Sequence, residues 1–130
     1  MGGRGAFFNK KTGQGRLIKK EFHTVATIRG IQVLNKNDES KAPGLPFMSG
    51  SPNRTYAVLN SKGELGSIGY YDEKKQMYKR VDFDKSHGGM KPHVNIVANG
   101  VTIGTRSLTP EELADGERIM KWKKNTTRRF

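Results

Sequence analysis

Thr55-Tyr-Ala-Val-Leu-Asn60-Ser-Lys-Gly63-Glu-Leu-Gly-Ser-Ile-Gly-Tyr-Tyr71-Asp72-Glu-Lys-Lys75-Gln-Met-Tyr-Lys-Arg80-Val-Asp-Phe-Asp84 is the stretch whose reading decides the fold. Thr55–Leu59, Glu64–Tyr71 and Gln76–Asp84 are rich in β-branched and aromatic residues. The polar segments between them, Asn60–Gly63 and Asp72–Lys75, have the length and chemistry of hairpin turns. Three such runs predict an antiparallel meander. Asp72 with Glu73 reads as a turn cap, and Tyr70 and Tyr71, adjacent on one strand, should point to opposite faces so that one faces outward.

The same reading extends in both directions. His93–Ala98 and Val101–Arg106 flank Asn99-Gly100, the dipeptide best suited to a tight hairpin. Upstream, Phe22, Val25, Ile28, Ile31, Val33 and Leu34, broken by Gly30, predict a strand pair or one bulged strand. Residues 35–54, punctuated by Pro43, Pro46 and Pro52, read as a long loop whose middle is pinned by Leu45, Phe47 and Met48. Thr109 as N-cap, Pro110 at the first helical position and Glu112 completing a capping box open a final helix. Its expected apolar stripe is Leu113, Ile119 and Met120, with Gly116 between them and Trp122 at the edge. The expected fold is α+β: a curved antiparallel β-sheet, made of a meander plus a hairpin, with a C-terminal α-helix.

The totals bound what such a fold can do. A chain of 130 residues accommodates one core. Residues 1–20 are expected to form a flexible, basic, Gly-rich arm, 21–125 the domain and 126–130 a basic tail. No apolar run reaches the length needed to cross a bilayer, and no signal-peptide core follows the N-terminus, so a cytoplasmic protein is expected. The formal charge is +12. An excess of that size predicts an acidic or polyanionic partner. Its attraction is concentrated at the two ends, in Arg4, Lys10, Lys11, Arg16, Lys19 and Lys20, and in Lys121, Lys123, Lys124, Arg128 and Arg129.

The chemistry-bearing side chains cluster between Arg80 and Asn95. There are no cysteines, so a metal here would be held by His, carboxylate or backbone oxygen. Strand alternation places Asp82 and Asp84 on one face of their strand, and His93 and Asn95 together on one face of the next. A loop loosened by Gly88 and Gly89 can bring in His87, and His23 is available as a further ligand. Two imidazoles and a carboxylate suit Zn2+ or another divalent transition metal. The competing reading is a polar loop in which Asp82 pairs with Arg80 or Lys85. No P-loop and no nucleophile–base pair of defined spacing is present, so catalysis is not indicated.

Met1-Gly-Gly-Arg-Gly-Ala6 resembles glycine-rich segments of phage minor head proteins. Tyr70-Tyr-Asp-Glu-Lys74, Arg80-Val-Asp-Phe-Asp84, His87-Gly88 and Pro92-His93-Val94 resemble a toxin-like module at the C-terminal end of such proteins. In that module the Pro-His pattern commonly continues with a second His, and here Asn95 stands in its place. The resemblance implies a phage or mobile-element origin, and with it an anti-CRISPR-type inhibitor acting in a bacterial host. The implied partner is a host protein with an acidic surface, such as an RNA-guided nuclease, or its nucleic acid, and not a membrane. A metal-dependent nuclease and a phage head accessory protein are the alternatives.

Overall fold

A computed structural model describes residues 22–36, 45–60, 62–83 and 92–128. Seven strands form one open sheet in sequence order: β1 (Phe22–Ile28), β2 (Ile31–Lys36), β3 (Thr55–Leu59), β4 (Leu65–Tyr71), β5 (Met77–Asp82), β6 (His93–Ala98) and β7 (Val101–Arg106). One helix, α1 (Pro110–Arg128), follows them. The α+β architecture read from the sequence is the architecture observed; β3 to β7 fall within their expected runs, and of the two readings of the first run the strand pair is the one observed, with β2 continuing to Lys36.

Local chemistry accounts for the hairpins. Asn99 and Gly100 both have positive φ, at 51° and 77°, the combination that lets a two-residue turn follow the twist of its strands. Arg29 and Gly30 do the same between β1 and β2. The Asp72 carboxylate accepts hydrogen bonds from the backbone N–H groups of Lys74 and Gln76 at 2.8 and 3.0 Å, fixing the β4–β5 turn. All strand pairs are antiparallel except β2–β3, which is parallel. A parallel pair cannot be joined by a tight turn, which is what the long 37–54 connection provides.

Strand alternation divides the core in two. Ile31, Val33, Ala57, Ile68, Tyr70, Val81 and Val94 pack with Ile119 under the helix. Leu34, Tyr56, Val58, Tyr71, Met77 and Val97 belong to a second cluster that Leu45 joins from the long connection. That connection runs alongside β5: Ser49 N–H donates to the Lys75 carbonyl, and Met77 N–H to the Phe47 carbonyl, each at 2.8 Å. Both faces of β4 are therefore covered. This corrects one expectation, since Tyr70 and Tyr71 are both buried, on opposite faces. Phe47 is held through its backbone carbonyl rather than by burial of its ring. It is 37% exposed, while Leu45 is buried and Met48 bridges to Gln76.

The helix turns a different side to the sheet than its hydrophobicity indicates. Glu112, Gly116 and Ile119 are buried, and Trp122 packs partly against the same cluster. Leu113 and Met120, expected in the stripe, are exposed at 44% and 43%. The helix also continues to Arg128, past the expected domain end at residue 125.

Gly116 lies directly against the ring of Phe83, the residue that follows β5. A Cβ built there would overlap the Phe83 ring. Alanine in a helix interior ordinarily gains about 1 kcal/mol over glycine, but overpacking costs about 1–3 kcal/mol. Gly116→Ala is thus expected to lower the urea midpoint, and adding Phe83→Leu should recover most of the loss. An unchanged or raised midpoint for Gly116→Ala would show that the contact yields.

Candidate functional site

The residues that the sequence singled out sit at one end of β4, β5 and β6. Asp82 lies opposite Ser67 on β4 and opposite His93 on β6, with Arg80 opposite Asn95 two pairs further along. Period-2 alternation puts the side chains of Ser67, Arg80, Asp82, His93 and Asn95 on one face. Asp82 Oδ1 accepts from Ser67 Oγ at 2.8 Å and from Arg80 Nε at 3.0 Å. Asp82 Oδ2 accepts from Asn95 Nδ2 at 2.6 Å and from Arg80 Nη2 at 3.3 Å. His93 Nε2 stands 3.7 Å from the same oxygen. Asn95 is buried, and its amide bond orients the carboxylate.

This geometry bears on metal binding. Both Asp82 oxygens are engaged and Arg80 supplies the counter-charge, so a cation at Asp82 would compete with a guanidinium already in place. Among the described residues no group of three or more His, Asp or Glu side chains is arranged to hold a metal ion. His23, expected as an additional ligand, is on β1, with β2, β3 and β4 between it and β5. Asp84 and His87 lie outside the described residues. Asp82 and His93 do meet, as alternation indicates, and Asp82 pairs with Arg80, as the competing reading has it. Ser67 escaped the sequence reading because finding it requires the β4–β5 register, which the composition of the two strands does not supply.

A second charged cluster fixes the helix. Glu112 is 2% exposed, and its carboxylate accepts from Lys79 Nζ at 2.7 Å and from Arg106 Nη1 and Nη2 at 2.8 Å each. It also accepts from the Thr109 N–H, while Thr109 Oγ1 accepts from the Glu112 N–H at 3.2 Å, completing the capping box. The Arg106 hydrogen bonds, then those of Lys79 and Thr109, outweigh burial and hold the Glu112 carboxyl well below the usual carboxylate range. Lys79 Nζ lies 4.4 Å from the Tyr70 ring centroid, and Tyr70 donates to Asp115 Oδ2 at 2.8 Å. Burial and then the Asp115 carboxylate push the Tyr70 hydroxyl pKa far up, keeping it a neutral donor.

Of the basic residues expected to meet a partner, Lys121 and Lys124 are exposed on α1 and Lys123 is half-buried. Arg128 closes the helix. Arg4, Lys10, Lys11, Arg16, Lys19, Lys20 and Arg129 lie outside the described residues. Lys123 leads to a cation not foreseen: its Nζ comes within 3.5 Å of where a Gly63 Cβ would lie, which sets the β3–β4 turn and exposed Lys62 beside the helix.

Comparison with protein-family models gives no match, and neither the curated proteins nor the solved structures contain one that is similar. Among the described residues, no helix is long and apolar enough to cross a membrane.

Two substitutions separate these clusters. Glu112→Gln should cost about 2 kcal/mol at neutral pH, less than a fully buried pair because Arg106 is partly solvated. A depressed carboxyl stabilises the fold above the unfolded carboxylate pKa of about 4.3 and loses that contribution as pH falls. Urea midpoints measured downward from neutral pH should therefore converge for the wild type and E112Q; parallel curves would remove Glu112 from the acid response. Asp82→Ala leaves Ser67, Arg80 and Asn95 without their acceptor and should cost about 2 kcal/mol by the same measurement.

Proposed function

We propose that this protein acts by binding, as an inhibitor of host nucleic-acid machinery, and that its target is an RNA-guided nuclease in the cytoplasm of a bacterial host. The observation that carries the binding reading is the segregation of charge. The chain has a formal charge of +12, and the helix from Arg118 to Arg128 holds five basic residues and no acidic one. A surface of one sign attracts polyanions or acidic protein faces over about a Debye length and accelerates their encounter. The target class comes from the resemblance to phage proteins carried by Tyr70–Val94. A zinc ion belongs to the same proposal as a structural pin, held by His93 with Asp84 and His87 rather than by Asp82, whose oxygens are occupied.

Titration against a reconstituted RNA-guided nuclease tests the reading. Inhibition should be complete near a one-to-one ratio and weaken with salt. Cleavage of DNA or RNA by the protein alone, at substoichiometric amounts and abolished by chelator, would identify a metal-dependent nuclease instead. Exclusive association with phage head proteins would point to an accessory factor. Elemental analysis of tag-free protein should give about one zinc per chain, lost in His93→Ala together with part of the thermal stability. A metal-free preparation would end the zinc part of the proposal alone.

A further inference from the structure

β7 ends the sheet, and its strand partner is β6. Among the described strands it alone is exposed at every position. Val101 and Ile103, at 60% and 65%, are the most exposed large hydrophobic residues described. The ring of Phe47, half-exposed, lies against Gly100 and lengthens this apolar rim at the turn that opens the strand. The outer edge of a sheet is a row of unpaired N–H and C=O groups, which proteins ordinarily guard with lysine, proline, an inward-pointing charge or a covering helix. Val101–Thr105 holds no charged residue and no proline. The helix does not cover it either: α1 starts beside Arg106, which bonds Glu112, and runs away to Lys123 beside Gly63 in the β3–β4 turn. A Cβ built on Gly104 would meet nothing within 4 Å. The one guard is a bulge, in which Ile103 is the extra residue between the Thr102–Val97 and Gly104–Ile96 pairs.

We infer that β7 pairs antiparallel with β7 of a second copy of this chain, about a two-fold axis near Ile103. Charge selects that occupant. The chain carries a formal +12, so two copies repel over most of any approach. Val101–Thr105 is a strip on which they meet without opposing like charges. Full antiparallel overlap sets Val101 against Thr105 of the second copy and Arg106 against its Gly100. The two Arg106 side chains then stand about 20 Å of strand apart. Each is also paired already with its own Glu112. An acidic segment of another protein would find no cation on Val101–Thr105 to pair with. Pairing about a two-fold axis is self-complementary, so each donor of one strand meets the acceptor that its own sequence supplies in the other. Valine, threonine and isoleucine are the residue types that suit such cross-strand contacts. At the opposite edge of the sheet less of the strand is open, since β1 has Phe22 buried and Ala26 and Ile28 half-buried.

Sedimentation velocity over a concentration series tests this. A single strand edge is a small interface, so the dimer should appear between about 10 μM and about 1 mM. Raising salt from about 50 mM to about 500 mM should strengthen it, because salt screens the repulsion between two basic copies. Binding to an acidic or polyanionic surface would change in the opposite direction. Ile103→Lys should weaken dimerisation roughly tenfold or more by setting like charges across the axis. The melting temperature of the dilute variant should match the wild type, since the side chain is exposed. The chain has no cysteine, so Ile103→Cys should form a disulfide-linked dimer on mild oxidation well ahead of Val25→Cys on β1. Should Ile103→Lys fail to fold, the cysteine pair decides alone. A monomer throughout the range, a dimer that salt weakens, wild-type dimerisation by I103K, or equal cross-linking at the two positions would each overturn the inference. If the β7 amides gain protection from hydrogen exchange only when the nuclease is added, the edge receives an extended segment of that protein and the assignment to a second copy fails.

Discussion

Glu112 brings a full negative charge to a position that is 2% exposed, and the placement of the helix on the sheet follows from how that charge is satisfied. An uncompensated carboxylate there would cost several kcal/mol. Lys79 on β5, Arg106 on β7 and the Thr109 N–H surround it, so one residue of the first helical turn is tied to a central strand, an edge strand and its own cap. Any sliding of the helix along the sheet would break these bonds together. Such a cluster adds position more than energy, since two desolvated partners repay much of what they gain. Position is what the apolar contacts of this helix supply weakly. With Leu113 and Met120 outside, its buried side is mainly Gly116 and Ile119, backed by Trp122.

This arrangement explains where the sequence was readable. Strand positions follow from β-formers and turn chemistry, both local; β3 to β7 were legible from their own few residues, while those of β1 and β2 left a strand pair and one bulged strand both open. Asn99-Gly100 and the Asp72 turn act through backbone angles and bonds within four residues. The parallel β2–β3 pair was not legible, because a connection without periodicity carries no information on which strand its end will join. The facing of the helix was misread for a different reason. Hydrophobicity places Leu113 and Met120 inside, whereas Glu112 reads only as a capping residue. Its second role appears once Lys79 and Arg106 have been brought together by strands far apart in sequence.

The candidate site shows the same division. That Asp82 and His93 face one side of neighbouring strands was legible from alternation alone. What the carboxylate does there was not, because an aspartate beside a histidine suits a metal and a salt-bridge network equally well in sequence. In the fold the guanidinium of Arg80, on the same face at i−2, and the amide of Asn95 both donate to it. Ser67 completes the set from β4 and could be named only with the register in hand.

Folding also sharpens the charge asymmetry that the composition announces. Twelve acidic residues against twenty-four basic ones leave the chain positive under any arrangement. The fold then turns several of those acids inward: Asp82 toward Arg80, Glu112 toward Lys79 and Arg106, and Asp115 toward Tyr70 and Arg118. Carboxylates consumed in this way cannot neutralise lysines elsewhere. Lys121 and Lys124 face solvent in the C-terminal half of the helix, where no acid follows Glu117. The buried ion pairs that place the helix and the positive face that the helix presents are therefore consequences of one distribution of charge. A substitution that freed Glu112 or Asp115 would loosen the fold and weaken the field outside it together.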